Sequence, residues 1–244
     1  MLIHIVNPNT TRSMTEKIGK AAIAVAPSGV EIIMNQPEMG PVSIEGYYDE
    51  AYAVPGMLAC IVEAEAREVA GHIIACFDDT GLDAARSIAS APVIGIGEAA
   101  FHAASLVAGK FSVITTLGRS VSAIEHNLVR YGLATRCAKV RAAEVLVLAL
   151  EDPHSDAHLK IESEILAAIH EDNCEAIVLG CAGMADLASD LSNKHGLPIV
   201  DGVAAAVGFI QMLSQAGLKT SKRGGYAAPL KKTYLGALSG FAPR

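Results

Sequence analysis

The chain has 244 residues, 51% of them hydrophobic, and a formal net charge of −7, which suits one large α/β domain or two lobes with a substantial core. No apolar run reaches the ~20 residues of a membrane helix, and Met1-Leu2-Ile3-His4 lacks the basic start of an export signal, so the expectation is a cytoplasmic protein with no membrane partner. An acidic balance also disfavours nucleic acid.

Charge is uneven along the chain. Residues 219–244 hold six basic groups and no acid, which leaves 13 basic and 26 acidic groups in residues 1–218. Such a tail either docks on the acidic body of its own or a sister subunit, or is a solvated end.

In chain order, residues 2–6 are a short apolar strand rich in β-branched residues, broken by Asn7-Pro8-Asn9-Thr10-Thr11 before helical spacing takes over at 14–25. Asn7 and Asn9 lie where a strand empties into a helix start, so their amides either meet a small polar ligand or form a turn and an N-cap. A second strand, 30–34, leads into a long polar loop, 35–48, which is either a binding loop or a surface excursion. In it Ser43-Ile44-Glu45-Gly46-Tyr47 is the stretch expected to reach over a site. A long helix is predicted over 50–70, then an apolar run, 72–75, delivers Cys76 into Phe77-Asp78-Asp79-Thr80-Gly81 before a helix begins at Leu82. A strand at 92–95 and an alanine-rich helix at 98–107 complete the first half.

The pattern then restarts. Residues 111–115 are a strand, 116–118 a turn, 120–131 a helix and 136–140 a strand; a helix at 162–170 precedes the strand 176–180, which delivers Cys181 into Ala182-Gly183. The strand 197–200 and the helix 203–213 follow. Corresponding points keep nearly constant offsets: 108 residues from Asn7 to Thr115, 105 from Cys76 to Cys181 and 106 from Pro92 to Pro198. Two parallel-sheet lobes built alike are therefore expected, residues 1–95 plus 203–244 forming the first and 96–202 the second, with one cleft between them. The helices at 98–107 and 203–213 are the crossings.

The carboxyl end of a parallel strand is where α/β proteins bind ligands, and each half presents one cysteine there. Unpaired backbone N–H groups at a following helix start favour a thiolate, so each thiol is expected to titrate nearer neutrality than the ~8.5 of a free cysteine. The alternative is that both are small buried hydrophobes, or a thiol switch. Five cysteines, at 60, 76, 137, 174 and 181, without a CxxC, are expected to be reduced thiols. The eight histidines show no ligand spacing, and Gly95-Ile96-Gly97 is too little for a nucleotide loop, so neither metal nor cofactor is expected. Two acid/base groups on opposite walls suffice to remove a proton from one face of a carbon and return one to the other. The enolate formed on the way would be stabilised by the N–H groups after each cysteine and by the hydroxyls of Thr115 and Thr116.

Three stretches, Asn7-Pro8-Asn9-Thr10, Cys76-Phe77-Asp78-Asp79-Thr80-Gly81-Leu82-Asp83 and Gly180-Cys181-Ala182-Gly183-Met184, resemble the aspartate/glutamate racemase superfamily, and within it the hydantoin racemases. The likeness extends over essentially the whole chain, including Ser43-Ile44-Glu45-Gly46 and Tyr226-Ala227 with Lys231. It implies two flavodoxin-like lobes related by a pseudo-twofold axis, a site between them, cofactor-independent proton transfer with catalytic roles at Cys76 and Cys181, and a homo-oligomer. Amino-acid racemases of the superfamily tend to carry Asn-Thr and Thr-His after their cysteines, where this chain has Phe77-Asp78 and Ala182-Gly183.

The expected substrate is thus a 5-substituted hydantoin racemised at C5. Asn7, Asp78 and Asp79 would accept or orient its ring, Phe77 and Ile44 would pack on its substituent, and Thr115, Thr116, Ala182 and Gly183 would line the enolate side. Alternatives are an allantoin or amino-acid racemase, or a non-catalytic small-molecule binding module.

Overall fold

The computed structural model describes residues 1–243; Arg244, counted in the basic tail, lies outside the described residues. Eight short strands form two four-stranded, all-parallel sheets. The first comprises β1 (Leu2–Val6), β2 (Glu31–Asn35), β3 (Gly71–Ile74) and β4 (Val93–Gly95) in the order β2-β1-β3-β4. The second comprises β5 (Phe111–Thr115), β6 (Cys137–Ala142), β7 (Ala176–Gly180) and β8 (Ile199–Val200) in the order β6-β5-β7-β8. Adding four to each strand number of the first sheet reproduces the second, so the repeat read from the offsets is a repeat of topology.

The central strands β1, β3, β5 and β7 are almost wholly buried, as parallel strands covered on both faces must be. Their covers are α1 (Arg12–Val25), α2 (Tyr47–Glu65) and α3 (Leu82–Ile88) on the first sheet, and α5 (Gly118–Arg130), α6 (Ala157–Glu171) and α7 (Ala188–His195) on the second. Two further helices, α4 (Ile96–Val107) and α8 (Gly202–Gln215), pack on each other, and α8 also rests on α1, β3 and β4. The core runs continuously from one sheet to the other: Phe101 of α4 stacks on Phe111 of β5 at 6.0 Å and meets the Phe77 ring edge-on at 5.3 Å. Asp201 caps α8 by accepting from the backbone N–H groups of Val203 and Ala204.

The largest departures from the expected boundaries are three. The helix predicted to reach residue 70 stops at Glu65, because Glu68 turns into the left-handed region (φ 52°) and leads the chain into β3. The helix predicted from 162 begins at Ala157, a full turn earlier. After Cys181 the chain forms a 3₁₀ turn, Ala182–Leu187, before α7. Among the described residues no helix is long and apolar enough to cross a membrane.

Candidate active site

Cys76 follows β3 and Cys181 follows β7, and both line a single cleft at the carboxyl ends of the two sheets. Of the residues singled out from sequence, Asn7, Ile44, Phe77, Asp78, Thr115, Thr116 and Ala182 line the same cleft. Asp79 and Gly183 do not. Asp79 is buried and turned toward α4, where its carboxylate accepts from the N–H groups of Gly97 and Glu98 and from the Tyr131 hydroxyl. Its left-handed backbone (φ 52°) swings the side chain away from the direction taken by Asp78. Gly183 packs under the Leu150 side chain, and its backbone N–H favours the Cys181 thiolate.

Several cleft residues are held by their own surroundings. The Asn7 side-chain amide donates to Asn9 Oδ1 (2.9 Å), Thr15 Oγ1 (3.0 Å) and the Thr11 carbonyl, so it braces the loop between β1 and α1. Thr115 donates its hydroxyl to the Gly180 carbonyl at 3.2 Å, tying the ends of β5 and β7 together. The loop before α2 is closed over the cleft. Thr10 N–H and Thr11 Oγ1 donate to the carbonyls of Pro41 and Val42, and Val147 of the second half donates its N–H to Glu45 Oε1 at 2.9 Å. Between these anchors Ile44 is buried in the cleft wall.

Both thiols depart from the neutral-range titration expected of them. Burial pushes Cys181 up to about 11, only partly opposed by the Gly183 N–H and, less, by Lys17. Burial and the neighbouring Asp78 push Cys76 higher still, against the pull of the Thr80 hydroxyl, which donates to its sulfur at 3.3 Å. The reason is geometric. No α-helix starts at either sulfur: α3 begins only at Leu82, and Cys181 opens a 3₁₀ turn, so the helix field counted on from sequence is displaced while burial still disfavours the thiolate.

Acidity gathers on the Cys76 side. Burial and the nearby Glu50 raise Asp78 to about 7, with the Ser120 hydroxyl 3.5 Å away pulling down. Glu50 itself is raised by burial and by Asp49, and its Oε1 is buried without a partner. Glu50 was not singled out from sequence, nor were the wall residues Met14, Ser120 and Val147. Ser120 and Val147 come from parts of the second half with no sequence signal for a site, and only the closure of the two sheets on each other brings them in. Among the described residues no group of three His, Cys, Asp or Glu side chains is arranged to hold a metal ion.

Two thiols on one cleft are groups that could exchange a proton with a carbon held between them, and comparison with known proteins bears on that chemistry. Residues 3–210 match the family model described as Asp/Glu/Hydantoin racemase. A hydantoin racemase of Rhizobium meliloti is 48% identical over 97% of this chain and 98% of its own. Among solved structures, an allantoin racemase from Klebsiella pneumoniae is similar with a TM-score of 0.97 and 46% identity, covering 100% of both chains. An allantoin racemase from Pseudomonas fluorescens is similar at 0.92 and 39%, covering 97% of this chain and 100% of that one. The chain belongs to the Asp/Glu/hydantoin racemase family and is an isomerase of the racemase class.

Proposed function

We propose that this racemase inverts 5-substituted hydantoins at C5 by a two-base transfer between Cys76 and Cys181, without an added cofactor. The observation that carries the reading is the presence of two thiols, each at the end of the equivalent strand of its sheet, on one cleft. One cysteine, as thiolate, takes the C5 proton; the ring holds the electron pair as an enolate at the adjacent carbonyl; the opposite thiol delivers its proton to the other face. The Thr116 hydroxyl lines the cleft and is available to stabilise the developing charge. The first thiol loses its proton to solvent before the cycle starts, and each turnover then exchanges the thiol and thiolate roles of the two cysteines.

The charge of the cleft supports a hydantoin over a free amino acid. Asp78 lines it and Glu50 backs it, both carboxyl groups, so a substrate carboxylate would meet like charge, whereas ring N–H groups find an acceptor in Asp78. Ile44, Val147 and Met14 offer an apolar wall for the C5 substituent. Allantoin is a hydantoin with a ureido group at C5, and it lies within the proposed class. Five free cysteines suit a reducing, cytosolic setting.

The reading includes a homo-oligomer. After Tyr226 the chain leaves the body, and residues 227–240 are exposed throughout, although Leu230 is 78% and Leu235 82% exposed. A basic arm with apolar side chains fits the acidic body of a second copy.

The test is to supply L-5-benzylhydantoin and L-phenylalanine separately and follow optical rotation under identical conditions, with the cysteine variants beside the wild type. Racemisation of the hydantoin alone, abolished in Cys76→Ala and in Cys181→Ala with unchanged circular dichroism, is the expected result. Equal rates on the amino acid would overturn the substrate, and full activity in either variant would overturn the mechanism.

A further inference from the structure

The turn that carries Cys76 is held by the opposite half of the molecule. Cys76 accepts the Asp79 N–H at its carbonyl (3.1 Å), and Thr80 donates its hydroxyl to the Cys76 sulfur. Asp79 lies between them in a left-handed conformation that a non-glycine residue adopts at a cost of roughly 1 kcal/mol or more, so something must hold it there. Its buried carboxylate is held at three points. Oδ1 accepts from Gly97 N–H at 3.0 Å; Oδ2 accepts from Glu98 N–H at 2.8 Å and from the Tyr131 hydroxyl at 2.7 Å. Gly95 and Gly97 make room for this. A Cβ on Gly95 would stand 1.9 Å from Asp79 Oδ1, and one on Gly97 2.2 Å from the Phe77 carbonyl oxygen. That accounts for the Gly95-Ile96-Gly97 stretch without a nucleotide.

Tyr131 caps the carboxyl end of α5, a helix of the second sheet. One turn earlier on the same helix, Asn127 donates its side-chain amide to the Asp78 carbonyl at 2.9 Å. Two side chains of α5 therefore grip two consecutive residues of the Cys76 turn across the cleft. Among the described residues no side-chain hydrogen bond joins α5 to the Cys181 turn, which packs instead on α1, α8 and the Leu150 side chain.

We propose that Tyr131 and Asn127 are positioning residues that set Cys76, and not Cys181, against the substrate, with Asp79 as the link. The proposal rests on the two-cysteine reading above. Holding a proton carrier to within about 1 Å matters because a displacement of that size costs up to about 10²-fold in rate. Removing one grip of two should cost less.

The experiment follows loss of the C5 hydrogen in D₂O, starting from each pure enantiomer of 5-benzylhydantoin, alongside inversion. In Cys76→Ala, exchange should vanish for one enantiomer, which identifies the one whose proton faces Cys76. In Tyr131→Phe, exchange from that enantiomer should slow about tenfold and exchange from the other should stay within about twofold. Inversion should slow in both directions, with KM nearly unchanged. Asn127→Ala should slow the same enantiomer. A merely structural role would slow both exchanges alike. Equal slowing, no slowing, or selective slowing of the Cys181-facing enantiomer overturns the proposal. Unchanged exchange of both enantiomers in Cys76→Ala instead sinks the two-cysteine reading beneath it.

Discussion

Lys17 Nζ of α1 stands 3.3 Å from Asp186 Oδ1 and 3.5 Å from the Leu150 carbonyl, so a side chain of the first sheet's cover grips the turn that follows Cys181. Lys17 is mostly shielded and Asp186 half exposed, which limits the pair to about 0.2–1 kcal/mol of stability. Its effect should be felt at the thiol. In Lys17→Met the Cys181 pKa rises, since a cation that favours the thiolate is gone. The iodoacetamide reaction of Cys181 at pH 8.5, followed by peptide mass spectrometry, should slow roughly two- to threefold with little change in Tm. An unchanged or faster reaction would show that Lys17 does not act on the sulfur.

The burial of both thiols makes alkylation a steep function of pH. With Cys181 at about 11, the thiolate is a minor species at neutral pH, and the reaction should climb about tenfold for each pH unit from 7 to 10. Cys76, pushed higher by burial and by Asp78, should react after Cys181 at every pH. A plateau reached by pH 8, or Cys76 reacting first, would contradict this picture of the free cleft. Substrate should protect both.

A second prediction from buried charge concerns stability. His4 and His72 are register partners on β1 and β3, with their Nδ1 atoms 2.8 Å apart; His4 Nε2 lies 2.8 Å from Asn35 Oδ1, and His72 Nε2 lies 2.8 Å from Glu65 Oε1. Burial lowers His4 from 6.5 to about 4, against the pull of Asn35. A depressed folded pKa means that protonation favours the unfolded chain, so stability present above pH 6.5 is lost as pH falls toward 4, by about 3 kcal/mol. In His4→Gln, Tm should be lower at pH 7.5 yet fall less than wild type between pH 6.5 and 4. A parallel fall in both proteins would remove His4 from the account.

The fold was legible because each strand is a short apolar run closed by turn residues, and because Asn7, Cys76 and Pro92 recur at nearly constant offsets in Thr115, Cys181 and Pro198. The same repeat marked the two cysteines. Side-chain direction was not legible. Asp78 and Asp79 are adjacent carboxylates in sequence, and only the left-handed backbone at Asp79 sends one to the cleft and the other to α4. The thiol electrostatics went astray for a related reason: five residues separate Cys76 from the start of α3, and a helix end exerts little field beyond its own first turn. The histidine chain depends on β1 pairing with β3, which no local pattern discloses.

The exposed arm gives a direct test of assembly. Truncation after Tyr226 keeps the contacts that hold the tail to α3, namely the Tyr226 hydroxyl on Asp83 and Lys222 on the carbonyls of Arg86 and Ser87. It removes Leu230, Lys231, Lys232 and Leu235. Light scattering should report a smaller assembly for the truncated chain, and Leu230→Asp with Leu235→Asp in the full chain should do the same. An unchanged mass in both would overturn the assembly proposed for the arm.

Asp78 faces both cysteines, but Glu50 adds to it only at Cys76 and Lys17 opposes it only at Cys181. Enantiomers in water have equal free energy, so the Haldane relation forces kcat/KM to be the same in both directions, whatever the protein does. The electrostatic difference between the walls can therefore surface only as a compensated pair, one enantiomer bound more tightly and turned over more slowly, the other bound loosely and turned over faster.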